Sequence, residues 1–166
     1  DFICEGIDQT RGWFYSLLAI GTFLFDRPTF KNVLVNDLLL DKNGQKMSKS
    51  RGNAVEPWKL IEKYGADATR WYLMAVSPPW TPTRFDEDGL KEVFAKFFGT
   101  LQNVYSFFTI YANIDQADPA AYEMPVSERE EIDRWILSRL NSLIAQVKKD
   151  MEVYDLTRVV RAIQAF

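Results

Sequence analysis

The chain contains no histidine and only one cysteine, Cys4. Without histidine, no Ser-His or Cys-His dyad and no His-metal site can be carried by this chain alone. A single cysteine permits neither an internal disulfide nor a multi-cysteine zinc centre. A surplus of either charge is missing too: 20 basic and 23 acidic side chains leave a net charge of −3. That excludes a polybasic nucleic-acid binder but leaves room for a local basic site. Nor is there a clean apolar run of membrane length. The most apolar windows, Trp13 to Phe25 and Phe94 to Tyr111, are broken by Gly21, Lys96, Gly99, Gln102 and Asn103. No targeting segment stands out.

What remains is ordinary globular composition, with 47% hydrophobic and 26% charged residues over 166 positions. The chain has no initiator Met, opens on Asp1-Phe2-Ile3-Cys4 and closes inside an apolar pattern at Phe166. It therefore reads as a piece of a longer cytosolic protein, with no membrane association expected.

Proline is sparse except at Pro78, Pro79 and Pro82, where three fall within five residues. No helix continues through such a run, so a boundary is expected there. Residues 1–78 carry a net charge of +1 and residues 79–166 a net charge of −4. The first part alternates structure types. Phe2-Ile3-Cys4 suits a buried strand, and Asp8 suits the cap of a helix with Phe14, Leu17, Leu18, Gly21 and Phe25 on one face. Asn32 to Val35 and Leu38 to Leu40 are strand-like, and Asp41 to Gln45 is an Asn-Gly turn. Helices follow from Pro57 to Gly65 and from Ala66 to Val76. This is α/β grammar. The second part reads as all helix. Apolar residues recur with helical period from Leu90 to Phe108 and from Ile132 to Met151. Ser127 and Glu130 are spaced as a capping box, and Asp155 opens a further helix. The fold class expected is α/β followed by all-α.

Two stretches carry chemistry. Lys46-Met47-Ser48-Lys49-Ser50 lies between the turn and the helix at Pro57. The window Lys42 to Arg51 holds four basic residues and no acid. Ammonium groups on a flexible loop suit a polyphosphate whose charge moves during reaction. Ser48 and Ser50 can donate to phosphate oxygens, and Gly52 lets the backbone fold back. A generic stretch of this composition is more often a solvated basic loop. The second stretch is Glu5-Gly6-Ile7-Asp8-Gln9-Thr10-Arg11-Gly12-Trp13-Phe14. It falls between a strand and a helix, where α/β sheets dock ligands. Glu5 can pair with a substrate ammonium, and Gly6 permits close backbone approach. Asp8 and Gln9 can bond ribose hydroxyls or an amino acid, and Trp13 can wall an apolar pocket. The plainer alternative is capping by Asp8 with Trp13 in the core.

Residues 46–50 match all five positions of the KMSKS signature of class I aminoacyl-tRNA synthetases, and the chain resembles that family. Residues 5–14 resemble the corresponding segment of its isoleucyl members. The likeness runs on to Gly65-Ala66-Asp67-Ala68 with Arg70-Trp71, and beyond that only the helical pattern matches. The resemblance implies that residues 1–78 are the C-terminal half of a Rossmann-like catalytic domain. Residues 79–166 would be the start of a helical anticodon-binding bundle. It further implies that Glu5, Gly6, Asp8 and Gln9 contact isoleucyl-adenylate and that Trp13 walls the isoleucine side-chain pocket. Lys49 would contact ATP with Lys46 in support, beside Met47, Ser48 and Ser50. The implied partners are isoleucine, ATP with Mg2+, and tRNA(Ile), in a monomeric, cytoplasmic parent protein, with no metal held by side chains of this chain. The family's HIGH signature and its editing domain are absent and are expected upstream. Valyl or leucyl relatives, and a non-enzymatic helical RNA-binding module with a relic loop, are the competing readings.

Cys4 is expected as a small buried hydrophobe, and Glu128, Glu130, Glu131 and Asp133 as first-turn acids facing a helix dipole. Phe97, Phe98, Phe107 and Phe108 are expected in the core rather than as a base-stacking platform.

Overall fold

The computed structural model describes residues 1–166, with the side chains of Pro119 and Tyr122 left aside. The chain divides into two compact units. One comprises residues 1–59 with 76–86, the other residues 60–75 with 87–166.

In the first unit, strand β1 (Phe2–Gly6) pairs in parallel with β2 (Asn32–Asn36), in a register that sets Ile3 against Val33 and Glu5 against Val35. Parallel strands need a crossover, and helix α1 (Trp13–Phe25) supplies it. Ile3, the second residue of β1, is its buried one. Gly21 is the buried residue of α1. A β-carbon there would collide with Thr29 Cγ2 and crowd the Arg27 carbonyl oxygen at 3.2 Å. Glycine is thus what lets the return segment press against the helix. Strand β3 (Leu39–Leu40) pairs in parallel with β4 (Thr83–Arg84). β4 corrects the expectation that residues 79–166 hold helices alone. The strand follows the proline cluster directly, where Ser77 and Thr83 hydroxyls hydrogen-bond across the turn. Asp37 N–H donates to the Pro79 carbonyl oxygen at 2.8 Å.

Helix α2 (Pro57–Tyr64) ends at Gly65, whose φ of +84° is the left-handed conformation that glycine tolerates. In the second unit, Tyr64 is buried and its hydroxyl donates to Glu87 at 2.9 Å; Lys63 reaches the same carboxylate oxygen at 2.7 Å. Helix α3 (Ala66–Val76) presents Ala68, Thr69 and Tyr72 to the core, and α4 (Glu87–Glu92) adds Leu90, which is fully buried. The chain then widens into a π-helical segment (Val93–Phe98) before α5 (Gly99–Ile114). The widened segment sets two consecutive side chains against one partner. Phe97 stacks on Trp71 at 4.6 Å and Phe98 meets the same ring edge-on at 5.9 Å. A strict 3.6-residue period would separate neighbours by about 100°. Phe107 and Phe108, by contrast, are 67% and 56% exposed, so they are not core residues of this chain.

Helix α6 (Glu131–Glu152) begins after Glu130, and no side chain of that residue caps it. The Ser127–Glu130 capping box does not form, because Ser127 lies in a 3-10 turn (Val126–Glu128) whose own bonds occupy that stretch. Glu131 and Asp133 do lie in the first turn. Helix α7 (Leu156–Ala165) is capped as expected, with Asp155 accepting from Arg158 N–H at 3.1 Å. α7 also closes the end of α3. Thr157 Oγ1 donates to the Met74 carbonyl at 2.9 Å, and Arg161 Nε donates to the Ala75 carbonyl at 2.8 Å. These carbonyls lack intrahelical partners. Among the described residues, no helix is long and apolar enough to cross a membrane.

Candidate functional site

Residues 5–13 form a ledge at the carboxyl end of β1. Glu5 and Gly6 are the last two residues of the strand, held against Val35 and Asn36 of β2. A 3-10 turn (Ile7–Arg11) follows, and Trp13 is the first residue of α1. Both glycines serve the turn. A β-carbon on Gly6 would lie 2.6 Å from Asp8 Oδ1, and one on Gly12 would lie 2.6 Å from Gln9 Oε1. Their absence leaves room for both polar side chains beside the glycines. Gln9 Nε2 donates to Asp8 Oδ2 at 3.1 Å, and Gln9 Oε1 accepts from Trp13 N–H at 3.1 Å. Asp8 is therefore not the cap of α1. It sits one turn too early, inside the 3-10 segment, and the Gln9 amide satisfies the helix N-terminus instead. Trp13 is 51% exposed and does not belong to a core. Cys4 is exposed as well, with its sulfur accepting from Asn36 Nδ2 at 3.3 Å. Alternation along a short strand gave no information about which of its faces would be covered.

Residues 46–53 form a loop on the hairpin-like turn that precedes it. Gly44, with φ of +78°, closes the turn, and Lys46 pairs back with Leu40 in one antiparallel bridge. Ser48 opens a short 3-10 turn (Lys49–Arg51), accepting from Arg51 N–H at 3.3 Å, and its hydroxyl meets that of Ser50 at 3.2 Å. Gly52, with φ of +68°, ends it, and nothing lies near the place a β-carbon would take. Lys46, Lys49 and Ser50 are exposed; Met47 and Ser48 are half-buried. The loop thus offers two ammonium groups and the Ser50 hydroxyl to solvent.

Two further residues tie this loop down, and residue-by-residue reading assigned neither a role in doing so. Asp41 accepts from the Asn43 and Gln45 N–H groups on one carboxylate oxygen, at 2.9 and 2.8 Å, and from Asn53 Nδ2 on the other at 2.8 Å. Asn53 accepts from Ser48 N–H at 2.9 Å and donates to the Lys46 carbonyl at 3.3 Å. The Asn53 amide, joined by the Gln45 and Asn43 N–H groups, holds the Asp41 carboxyl below the ordinary carboxylate value.

The structure groups Glu5, Gly6, Asp8, Gln9 and Trp13 on the ledge, and Lys46 to Ser50 on the loop. Both groups belong to the first unit. Among the described residues no hydrogen bond or ion pair joins the two groups, and no three His, Cys, Asp or Glu side chains cluster as metal ligands.

Comparison with known proteins places the chain more sharply. A family model described as class I tRNA synthetases (I, L, M and V) matches residues 1–86, and an anticodon-binding domain of tRNA ligase matches residues 133–166. The isoleucine–tRNA ligase of Cytophaga hutchinsonii is 55% identical over all 166 residues, and that of Thermus thermophilus is 49% identical over the same length. The chain spans about 15% of the length of these relatives. Among solved structures, the LeuRS of Agrobacterium radiobacter, in a ternary complex with tRNA and LeuAMS, superposes with a TM-score of 0.77. It is 24% identical, and the match covers 99% of this chain and 22% of that one. An α/β region followed by helices is the shared fold.

Proposed function

The chain belongs to the class I tRNA synthetases of the isoleucine, leucine, methionine and valine group, and from this we propose that it is the part of an isoleucine–tRNA ligase that carries the adenylate ledge, the KMSKS loop and the opening of the anticodon-binding helices. The observation that carries the reading is the position of Glu5 to Trp13. They sit at the carboxyl end of a parallel strand and the start of its crossover helix, where α/β sheets bind ligands. The choice of isoleucine is supported by the chain-long similarity to isoleucine–tRNA ligases.

In this reading the isoleucine carboxylate attacks the α-phosphate of ATP and pyrophosphate leaves. The acyl group then passes to the terminal ribose of tRNA(Ile). Neither step needs a protein nucleophile, so a chain without histidine can contribute through positioning and charge stabilisation. Glu5 pairs with the isoleucine ammonium. Asp8 and Gln9, given room by Gly6 and Gly12, present polar atoms to the adenylate. Lys49, with Lys46, meets the phosphate charge that grows as pyrophosphate departs, and the Met47, Ser48 and Ser50 positions follow the same nucleotide. ATP is expected with Mg2+ on its phosphate oxygens. Trp13, half exposed, is free to wall the apolar side-chain pocket. Such a pocket separates isoleucine from valine by about 1–3 kcal/mol, a general figure for which isoleucyl enzymes are the usual illustration.

Residues 79–166 belong in this reading to the anticodon-binding part. Three of its arginines already serve the fold: Arg129 bonds the Met124 carbonyl, Arg158 pairs with Asp150, and Arg161 bonds Ala75. The exposed Arg134, Arg139, Lys148 and Lys149 of α6 are the groups to meet tRNA phosphates. The test is ATP–pyrophosphate exchange by the full-length protein with isoleucine, valine and leucine. Isoleucine should lead valine by about 100-fold in kcat/KM. Preference for valine or leucine, or no exchange with any of the three, would overturn the reading. The isolated 166-residue chain should show no exchange.

A further inference from the structure

The loop that bears Lys46 and Lys49 has almost no backbone pairing. One bridge, Leu40 to Lys46, is its share of a sheet, and residues 49–51 form a single 3-10 turn. What closes its base is a pair of side chains separated by 12 positions. Both oxygens of Asp41 are in use, one on the turn's N–H groups and one on Asn53. Both ends of the Asn53 amide are in use as well, on Asp41 and Lys46 through nitrogen and on Ser48 through oxygen. Asn53 therefore holds the backbone of two signature residues while anchored to the turn that precedes them. Asp41 and Asn53 are half-buried, whereas the side chains of Lys49 and Ser50 at the tip are exposed.

We propose that Asp41 and Asn53 form a clip across the base of the loop, and that both are positioning residues for the loop's lysines in the activation step. The proposal deepens the ligase reading given above and rests on it for its catalytic part. The physical logic is entropic. A loop bearing two like charges samples many arrangements, and only those that aim Lys49 at the nucleotide are productive. Fixing Lys46 and Ser48 by their backbones limits the arrangements without touching the tip, so the tip stays able to follow phosphate charge. A carboxylate is the right acceptor for the anchor, because it can take N–H bonds from the turn on one oxygen and an amide on the other. An amide is the right crosspiece, because one side chain must both donate and accept. The clip touches neither substrate nor the reacting atoms, so loss should appear in the rate of activation and not in isoleucine affinity.

The experiment uses the full-length enzyme in four forms: unaltered, Asp41→Asn, Asn53→Asp and the two changes together. A fifth form, Asn53→Ala, removes the crosspiece outright. Asp41→Asn leaves two amides facing each other, and Asn53→Asp sets two carboxylates together. The double exchange restores one amide and one carboxylate with their positions reversed. Two readouts are taken. The first is hydrogen exchange of residues 46–52, with residues 3–6 of β1 as internal control. The second is ATP–pyrophosphate exchange, resolved into kcat and the KM for isoleucine. The expected result is faster amide exchange at 46–52, by tenfold or more, in Asn53→Ala and in Asn53→Asp, with β1 unchanged. The same variants should lose about tenfold or more in kcat with the isoleucine KM within twofold. The double exchange should recover part of both losses but stay short of the unaltered enzyme, because a carboxylate at position 53 cannot donate to the Lys46 carbonyl. Single variants that match the unaltered enzyme in both readouts would overturn the clip, as would a double exchange worse than either single change. If the unaltered enzyme shows no isoleucine-dependent exchange, the ligase reading fails, yet the amide-exchange readout still decides whether the clip holds the loop.

Discussion

The ledge of residues 5–13 and the loop of residues 46–53 lie in one unit but are placed by opposite means. The ledge inherits its position from five paired residues of β1 and the crossover helix behind it. Side-chain bonds there are short-range refinements, from Gln9 to Asp8 and from Trp13 to Gln9. The loop inherits little from regular structure and is held by side chains on Asp41 and Asn53. In the ligase reading proposed above, the difference suits a division of labour. A group that must tell one amino acid from another by a methylene gains from rigid support. A group that must follow departing charge gains from a fixed base and a free tip. On that reading, backbone pairing serves the first and the proposed polar clip serves the second.

The sharpest way to break that comparison is Lys49→Ala in the full-length enzyme. Adenylate formation should fall by about 100- to 1000-fold, as for loss of one group aimed at developing charge. The isoleucine KM should stay within about twofold. Equal losses in both would mean that the loop binds rather than activates. Next in size is Trp13→Ala on the ledge. If Trp13 walls the side-chain pocket as proposed, the isoleucine-to-valine ratio of kcat/KM should shrink by about tenfold, with a rise in isoleucine KM. A ratio left unchanged would take Trp13 out of the pocket.

Much of the ledge can be read from the residues because strand, turn and helix each carry local signals. Gly65 stops α2 and Asp155 caps α7 for equally local reasons. The features that escape such reading depend on distant partners or on small shifts of period. β4 is two residues long and owes its existence to β3, more than forty positions earlier. The π-helical segment adds less than one residue to a turn, too little to disturb the apolar pattern, yet it sets both Phe97 and Phe98 on Trp71. Ser127 and Glu130 have the right spacing for a box, but the chain enters α6 from a 3-10 turn and leaves the pair unformed. Asp41 looks like a turn residue and Asn53 lies three positions past the signature, and nothing periodic links them.

Two smaller effects sharpen the contrast further. Gly21→Ala should damage the scaffold of the ledge and spare the loop, since a methyl group there meets Thr29 and the Arg27 carbonyl. Overpacking of this kind costs about 1–3 kcal/mol. Hydrogen exchange in residues 13–25 should speed up about tenfold or more while residues 46–52 keep their rates; a uniform change in both would contradict separate support. The smallest effect concerns acid. Asn53 holds the Asp41 carboxyl below its ordinary value of 3.8. A lowered folded-state value means the stabilisation is full above the ordinary value and is lost only as pH falls through the lowered one. Protection at residues 46–52, corrected for intrinsic exchange, should therefore be the same at about pH 5 as at pH 7, given ordinary carboxylate values near 4. Loss of protection already at pH 5 would show that Asp41 does not carry the anchor as an ionised group.

The most direct measurement is a crystal structure of the full-length enzyme with ATP and a non-reactive isoleucine analogue bound together. The account expects the Glu5 carboxylate about 3 Å from the analogue's ammonium and Lys49 Nζ at a similar distance from a phosphate oxygen, around one cavity. Analogue and nucleotide bound with either residue directed away from both ligands would contradict it.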